Sequence, residues 1–293
     1  MPQLQQGDEI ILVDDASLDK TPELAKKLGF TLVQLHNNSG VGKARNEGAR
    51  AAKNEILAFF DDDILPNEDY LQKIREIFED QSMQCCQGLH DLEPANNSPS
   101  FSQTIEAFIW HHCMGTLSAQ KNGCHSVFSQ SFVICKSLFF EVGGFSENFK
   151  GAGGEEFELA ARLFSKTTIH LKKELRTRHV FQSFYPRLKT LYKRAQNFKK
   201  IYNDMEPEWK QSHVSEILRS GLSLLFIPLL LASVWDERFL WSLPLPFLFF
   251  VVADALFALN LIKWGKVLWI PLALFQRYVQ YFWISCGLIR GML

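Results

Sequence analysis

Short apolar runs alternate with amphipathic stretches along the first part of the chain. Glu9 to Val13 (EIILV) stops at Asp14 and Asp15, as a buried strand ends at a polar loop. Thr21 is placed to cap a helix with Pro22 in its first turn. A second strand is predicted over Phe30 to Leu35, a helix over Gly42 to Lys53, and a third strand over Glu55 to Phe60 that ends on Asp61, Asp62 and Asp63. An amphipathic helix from Asn67 to Phe78 and a strand from Gln84 to Gly88 follow. Strands alternating with helices predict an α/β layer with a mainly parallel, Rossmann-like sheet flanked by helices. In such sheets ligands sit beyond the carboxyl ends of the strands, where both acidic clusters fall.

Farther along, Pro94 to Pro99 marks a loop, Phe101 to Met114 a helix, Ser131 to Cys135 a strand, Lys136 to Val142 a helical turn, and Glu155 to Phe164 another helix. The pattern then changes character. Segments 217–235 and 239–261 are almost unbroken in apolar residues and each approaches the ~20 residues a helix needs to cross hydrocarbon. A third apolar segment, 267–289, contains Gln276, Arg277 and Gln280, which leaves both a crossing and an interfacial helix open. The expected organisation is an α/β domain over 1–205 and a membrane region over 206–293.

Charge adds direction. Lys plus Arg is 31 against 32 for Asp plus Glu, so the net charge of -1 gives no global reason to expect nucleic acid, and no nucleic-acid partner is expected. The basic residues nevertheless concentrate between Lys172 and Lys200, ahead of the apolar segments, and Lys263 and Lys266 follow the second one. That asymmetry places these loops on the cytoplasmic side of a multi-pass membrane protein and makes membrane lipid a partner. Six scattered cysteines, and no apolar leader after Met1, agree with a reducing compartment. His111, His112, Cys113, Cys124 and His125 lack the spacing of a standard zinc site.

For chemistry the strongest constellation is Asp61-Asp62-Asp63 at a strand end. If the segment is extended, Asp61 and Asp63 point the same way and can share one hard divalent cation, although aspartates in loops are as often solvated or capping residues. Upstream, Gly40-Val41-Gly42 opens a helix that carries Arg45, an arrangement able to clamp a base or phosphate. The ordered set VDDAS, GVGKARNEGARAAKNEILAFFDDD, GGF and GGEEFELAARL resembles family 2 glycosyltransferases of the GT-A fold over residues 9–200.

That resemblance implies an inverting, metal-dependent glycosyltransferase acting on a nucleotide-sugar donor, with a glycan or lipid-linked acceptor and Mn or Mg as cofactor. It implies donor contacts from Asp15, Arg45, Asp61 and Asp63, and metal contacts from Asp61, Asp63 and His179. Glu155 and Glu156 stand where the family carries Glu-Asp, the second being the catalytic base; either glutamate could take the proton here. The family pattern begins with a strand and helix ahead of the segment matching EIILVDD, so the expectation is an N-terminally incomplete domain with apolar neighbours exposed beside a missing central strand. Two other classes compete: a receiver-like phosphoacceptor module, for which no Lys-Pro strand end is found, and a noncatalytic membrane scaffold.

Overall fold

The computed structural model describes residues 3–117, 124, 126–149, 153–196 and 214–292. His125, Lys199, Lys200 and the expected domain boundary near 205 lie outside the described residues. The chain forms two compact units, one made of residues 1–91 and 114–180, the other of residues 92–113 and 181–293.

In the first unit, β1 (Ile11–Asp14), α1 (Thr21–Lys27), β2 (Thr31–Gln34), α2 (Val41–Ala51) and β3 (Ile56–Phe59) follow the predicted alternation. The N-cap of α1 is Lys20 rather than Thr21, which is itself the first helical residue, with Pro22 in the first turn. β4 (Ile64–Pro66), α3 (Tyr70–Phe78), β5 (Cys85–His90), β6 (Phe132–Cys135), α5 (Lys136–Glu141), α6 (Glu155–Phe164) and β7 (His170–His179) complete it.

β1 and β2 pair in parallel as a two-stranded sheet, and the other five strands run in the order β3-β6-β5-β7-β4. The expectation of a mainly parallel sheet is corrected here. β5 and β7 are parallel, whereas β3 with β6, β5 with β6, and β4 with β7 are antiparallel. β3 and β5 do share one direction, as a β-helix-β crossover requires. The later strand β6 slips between them in the opposite sense, which local periodicity cannot announce. The main core lies under this sheet, from Ala49 and Leu57 through Phe132, Ile134 and Phe139 to Leu159 and Leu163. Tyr70, Ile74 and Phe78 of α3 cover the other face against Cys86, Val133 and Leu175.

β5 is buried along its whole length, and Gly88 shows why no side chain fits at that point. A Cβ there would stand 2.0 Å from Ser131 Oγ and 2.6 Å from the Leu175 carbonyl oxygen. Gly88→Ala is therefore expected to lower unfolding free energy by about 1–3 kcal/mol through overpacking, measured by denaturant titration. An unchanged midpoint would show that the strand can shift to admit the methyl group.

The second unit contains α4 (Phe101–Leu117) up to Cys113, α7 (Phe184–Gln196), α8 (Val214–Leu224), α9 (Phe226–Trp235), α10 (Leu245–Ala253), α11 (Ala255–Lys263) and α12 (Ile270–Met292). Only Leu218–Trp235 is by itself long and apolar enough to cross a membrane among the described residues. α8 and α9 meet at a turn on Leu225, three residues before Pro228, whose ring has no N–H to donate and crowds the carbonyl one turn earlier.

The expected second span over 239–261 is not a straight helix. A 3-10 turn over Glu237–Ser242 leads into α10, and the segment bends by 60° between Ala253 and Ala255. The intervening Asp254 is fully buried and accepts from Arg277 Nε and Nη2 at 2.5 and 2.9 Å, with Arg219 Nε at 3.1 Å. The polar residues of the third segment are therefore turned inward. Gln280 donates to Glu106 at 2.6 Å, and Gln276 donates to the Ser102 carbonyl at 3.1 Å. α12 lies along α7 at Gly287 and Gly291, where a Cβ would meet the Tyr192 and Gln196 carbonyls at 2.3 and 2.6 Å.

Candidate active site

The site grows from strand ends of the first unit. At the end of β1, Asp14 is buried and accepts from the Ser17 amide at 2.9 Å, and the Ser17 hydrogen bonds hold its carboxyl below the ordinary value. Asp15 accepts from the Ser39 and Gly40 amides at 2.7 and 2.8 Å, which ties the β1 loop to the start of α2. Ala16 adopts φ +61°, and Gly40 φ +92°. A left-handed alanine is uncommon, and such backbone gathers at functional sites. The glycines before α2 do allow a close approach, but at Gly42 it is to the protein itself: a Cβ there would lie 2.4 Å from the Ser146 carbonyl oxygen.

One turn into α2, Arg45 bridges two carboxylates. Its Nη2 donates to Asp61 Oδ1 at 2.7 Å and its Nη1 to Glu155 Oε1 at 3.0 Å, and the guanidinium lies over the Phe145 ring at 5.2 Å. The second Glu155 oxygen accepts from the Gly153 amide at 2.9 Å, so this glutamate is buried and fully engaged. Glu156 turns elsewhere. Its Oε1 accepts from the Ser129 amide at 2.7 Å and from the Ser129 hydroxyl at 2.5 Å. Burial, aided by the negative charges of Glu155 and Asp61, pushes the Glu156 carboxyl above its ordinary value despite Arg45 and Ser129. Arg45 stays firmly protonated: its burial acts against the charge, and Asp61, Glu156 and Glu155 more than offset it.

Asp61 and Asp63 do not sit in an extended segment. The Ile64 amide donates to the Asp61 carbonyl at 3.2 Å, closing a turn between β3 and β4. Asp61 goes to Arg45. Asp63 is carried to His179 by the antiparallel pairing of Ile64 with His179, and its Oδ2 stands 3.4 Å from His179 Nε2. No three His, Cys, Asp or Glu side chains gather closely enough to form a ready metal cluster among the described residues.

Four residues that sequence reasoning did not single out hold this arrangement. His90, buried at the end of β5, has Nδ1 at 2.7 Å from the Thr177 hydroxyl and Nε2 at 3.0 Å from Gln130 Oε1. The Gln130 amide nitrogen lies 3.4 Å from His179 Nε2. Ser129 and Gln130, in a 3-10 turn just before β6, thus connect Glu156 on one side with His179 and Asp63 on the other. Asn46, a poor helix former in the middle of α2, donates to the Phe145 carbonyl at 2.8 Å and accepts from its amide at 2.9 Å. That two-way clasp fixes the Gly143-Gly144-Phe145 turn, and the sequence signals it only through a polar, weakly helix-forming residue in the middle of α2.

Residues 3–138 match the Glycosyl transferase family 2 profile. This stretch of the chain belongs to that glycosyltransferase family, and the surrounding unit has its GT-A fold. Validoxylamine A glucosyltransferase of Streptomyces hygroscopicus subsp. jinggangensis (strain 5008) is 27% identical over 186 residues, covering 53% of this chain and 43% of that protein. Polypeptide N-acetylgalactosaminyltransferase 5 of Rattus norvegicus is 24% identical over 250 residues, covering 74% of this chain and 26% of its own. The chain thus spans less than half the length of these relatives. Among solved structures, a mannosyltransferase from Pyrobaculum calidifontis in complex with GDP-Man and Mn2+ superimposes with a TM-score of 0.59 at 16% identity, over 97% of this chain and 77% of that one.

Proposed function

We propose that the first unit is an inverting glycosyltransferase centre that moves a sugar from a nucleoside-diphosphate donor to an acceptor hydroxyl on a glycan or lipid-linked carrier. The observation that carries this reading is the placement of Glu156: its Ser129 partners aim it, and burial beside Arg45, Asp61 and Glu155 makes it a stronger base than a solvated carboxylate. In the displacement, the acceptor oxygen forms its bond to the anomeric carbon as Glu156 takes the hydroxyl proton. The bond to the diphosphate breaks on the opposite face, which inverts the centre. Glu155, locked between Arg45 and Gly153, then serves to position Arg45 and not to take the proton.

On this reading Asp15, Arg45, Asp61 and Asp63 bind the donor. Asp15 does so by setting the loop into α2, and Arg45 presents positive charge next to Asp61. Asp61, Asp63 and His179 are assigned to a divalent ion, Mn or Mg. The facing carboxylate oxygen and imidazole nitrogen of Asp63 and His179 are donor types that suit Mn, and one Asp61 oxygen is free of Arg45. When bound, such an ion offsets the charge that develops on the departing diphosphate.

The exposed apolar side chains of the second unit, from Leu225 to Phe275, support a membrane anchor, and Lys189, Lys193, Lys263 and Lys266 support a cytoplasmic catalytic side. The test uses the full chain in detergent with UDP or GDP and Mn2+ in a calorimeter. Saturable binding of at least one nucleotide, weakened tenfold or more by Asp63→Asn, is expected. No binding of either nucleotide with Mn2+ or Mg2+ would refute the donor site.

A further inference from the structure

The second unit carries its own record of where a bilayer would begin and end. We infer that α8 to α10 form a single transmembrane hairpin whose tip reaches the far side, while α11 lies in the near interface and α12 leaves the membrane without crossing it. This topology rests on the membrane reading above.

Its near boundary is a belt of buried polar side chains. Asp254 is held by Arg219 of α8 and Arg277 of α12, and Glu106 by Arg187 and Gln280. From Leu218 to Trp235 the outgoing helix has 18 residues, which at 1.5 Å per residue is about 27 Å, close to the roughly 30 Å of a hydrocarbon core. The returning limb, Glu237–Ala253, is of matching length. At the tip Trp235 and Trp241 are 92% and 88% exposed beside the exposed Asp236–Arg238 ion pair, the amphipathic aromatics and charges of a membrane–water interface.

At Asp254 the chain bends by 60°, and α11 exposes Leu256, Leu259 and Ile262 along one stripe ending at Lys263. Lys266 follows, its ammonium 4.6 Å from the centre of the Trp269 ring. An amphipathic helix ending in lysines beside tryptophan suits the headgroup zone.

α12 begins in lipid, with Leu272 and Phe275 exposed, and changes surroundings at Gln276, Arg277 and Gln280. From there on it runs beside α7, touching Tyr192 at Gly287 and Gln196 at Gly291. α7 exposes Lys189 and Lys193, which have no place in hydrocarbon. The C-terminal half of α12 therefore stands outside the bilayer on the α7 side, and the third apolar segment is not a third span.

Introduced cysteines decide the matter: Lys189→Cys, Glu237→Cys and Arg290→Cys, with Arg238→Cys as a second tip reporter. Each is labelled with a membrane-impermeant maleimide in spheroplasts and in inverted vesicles of the expression host, against the unmodified protein as background. Cysteines at 189 and 290 should label in the same preparation, and those at 237 and 238 only in the other. Labelling of 290 together with 237 would mean that α12 crosses, and a tip unreactive in both preparations would mean that the hairpin stops inside the bilayer; either overturns the topology. Release of the unmodified protein into the soluble fraction without detergent would overturn the membrane reading, and the topology with it, while leaving donor binding untouched.

Discussion

Glu156→Gln is expected to reduce sugar transfer by about 10²- to 10⁴-fold, the usual contribution of a positioned general base, with donor binding retained. The amide keeps an oxygen to accept from Ser129, so the first turn of α6 has no reason to move. Stability should move the other way. The folded protein holds the Glu156 carboxyl above its ordinary value near 4.5, chiefly through burial, so it binds that proton more tightly than the unfolded chain. The stability this group supplies is complete below that ordinary value and is lost as pH rises through the raised folded value. Glutamine does not titrate. The melting temperature of the variant relative to the unmodified protein should therefore be more favourable at pH 8 than at pH 5. Undiminished transfer would exclude Glu156 as the base, and a pH-independent difference would mean that its carboxylate is solvated in the folded protein.

Arg45→Met should cost about 3–5 kcal/mol, the range for removing one partner of a buried ion pair. The side chains of Arg45 and Glu155 are 11% and 2% exposed, so the lost guanidinium leaves the buried Glu155 carboxylate without its ion-pair partner, with the Gly153 amide as its remaining hydrogen-bond donor among the described residues. Asp61, at 27% exposed, can recover water and contributes less. The companion variant Arg45→Met/Glu155→Gln removes the stranded charge and should regain much of the stability while remaining inactive. Urea denaturation of both proteins gives the comparison. A loss below about 1 kcal/mol for the single variant would place the pair among solvated surface ion pairs. A double variant no more stable than the single one would show that Arg45 acts through packing on Phe145 instead.

These two variants also separate what could be read early from what could not. Strand ends at Asp15 and Asp61, the helix carrying Arg45, and the helix opening on Glu155-Glu156 were all legible, because each follows from an apolar run meeting a polar residue or a glycine pair within a few positions. The roles within the pair Glu155-Glu156 were not. Neighbouring residues at a helix start face different directions, and only the distant partners Arg45 and Ser129 distinguish them. The same holds for Asp61 and Asp63, which an extended reading aimed together and a turn sends to Arg45 and His179.

In sequence β7 has the look of a basic run, because its outward Lys and Arg residues mask the buried Leu175 and Thr177 between them. Without that strand in view, neither the buried His90–Gln130 pair nor the approach of His179 to Asp63 could be foreseen. The apolar C-terminal segments were equally plain in composition, whereas the bend at Asp254 and the inward turn of Arg277 were not.

Local order along the chain was enough to establish an α/β domain with acidic strand ends, a glycosyltransferase-like motif order and an apolar helical region, since periodicity and turn chemistry act over a few residues. Folding in three dimensions was needed to insert β6 between β3 and β5, to choose the partner of each carboxylate, and to join residues 92–113 to the C-terminal helices. Those outcomes depend on contacts between groups far apart in the chain, where burial and charge pairing set the energies and no nearby pattern carries the information.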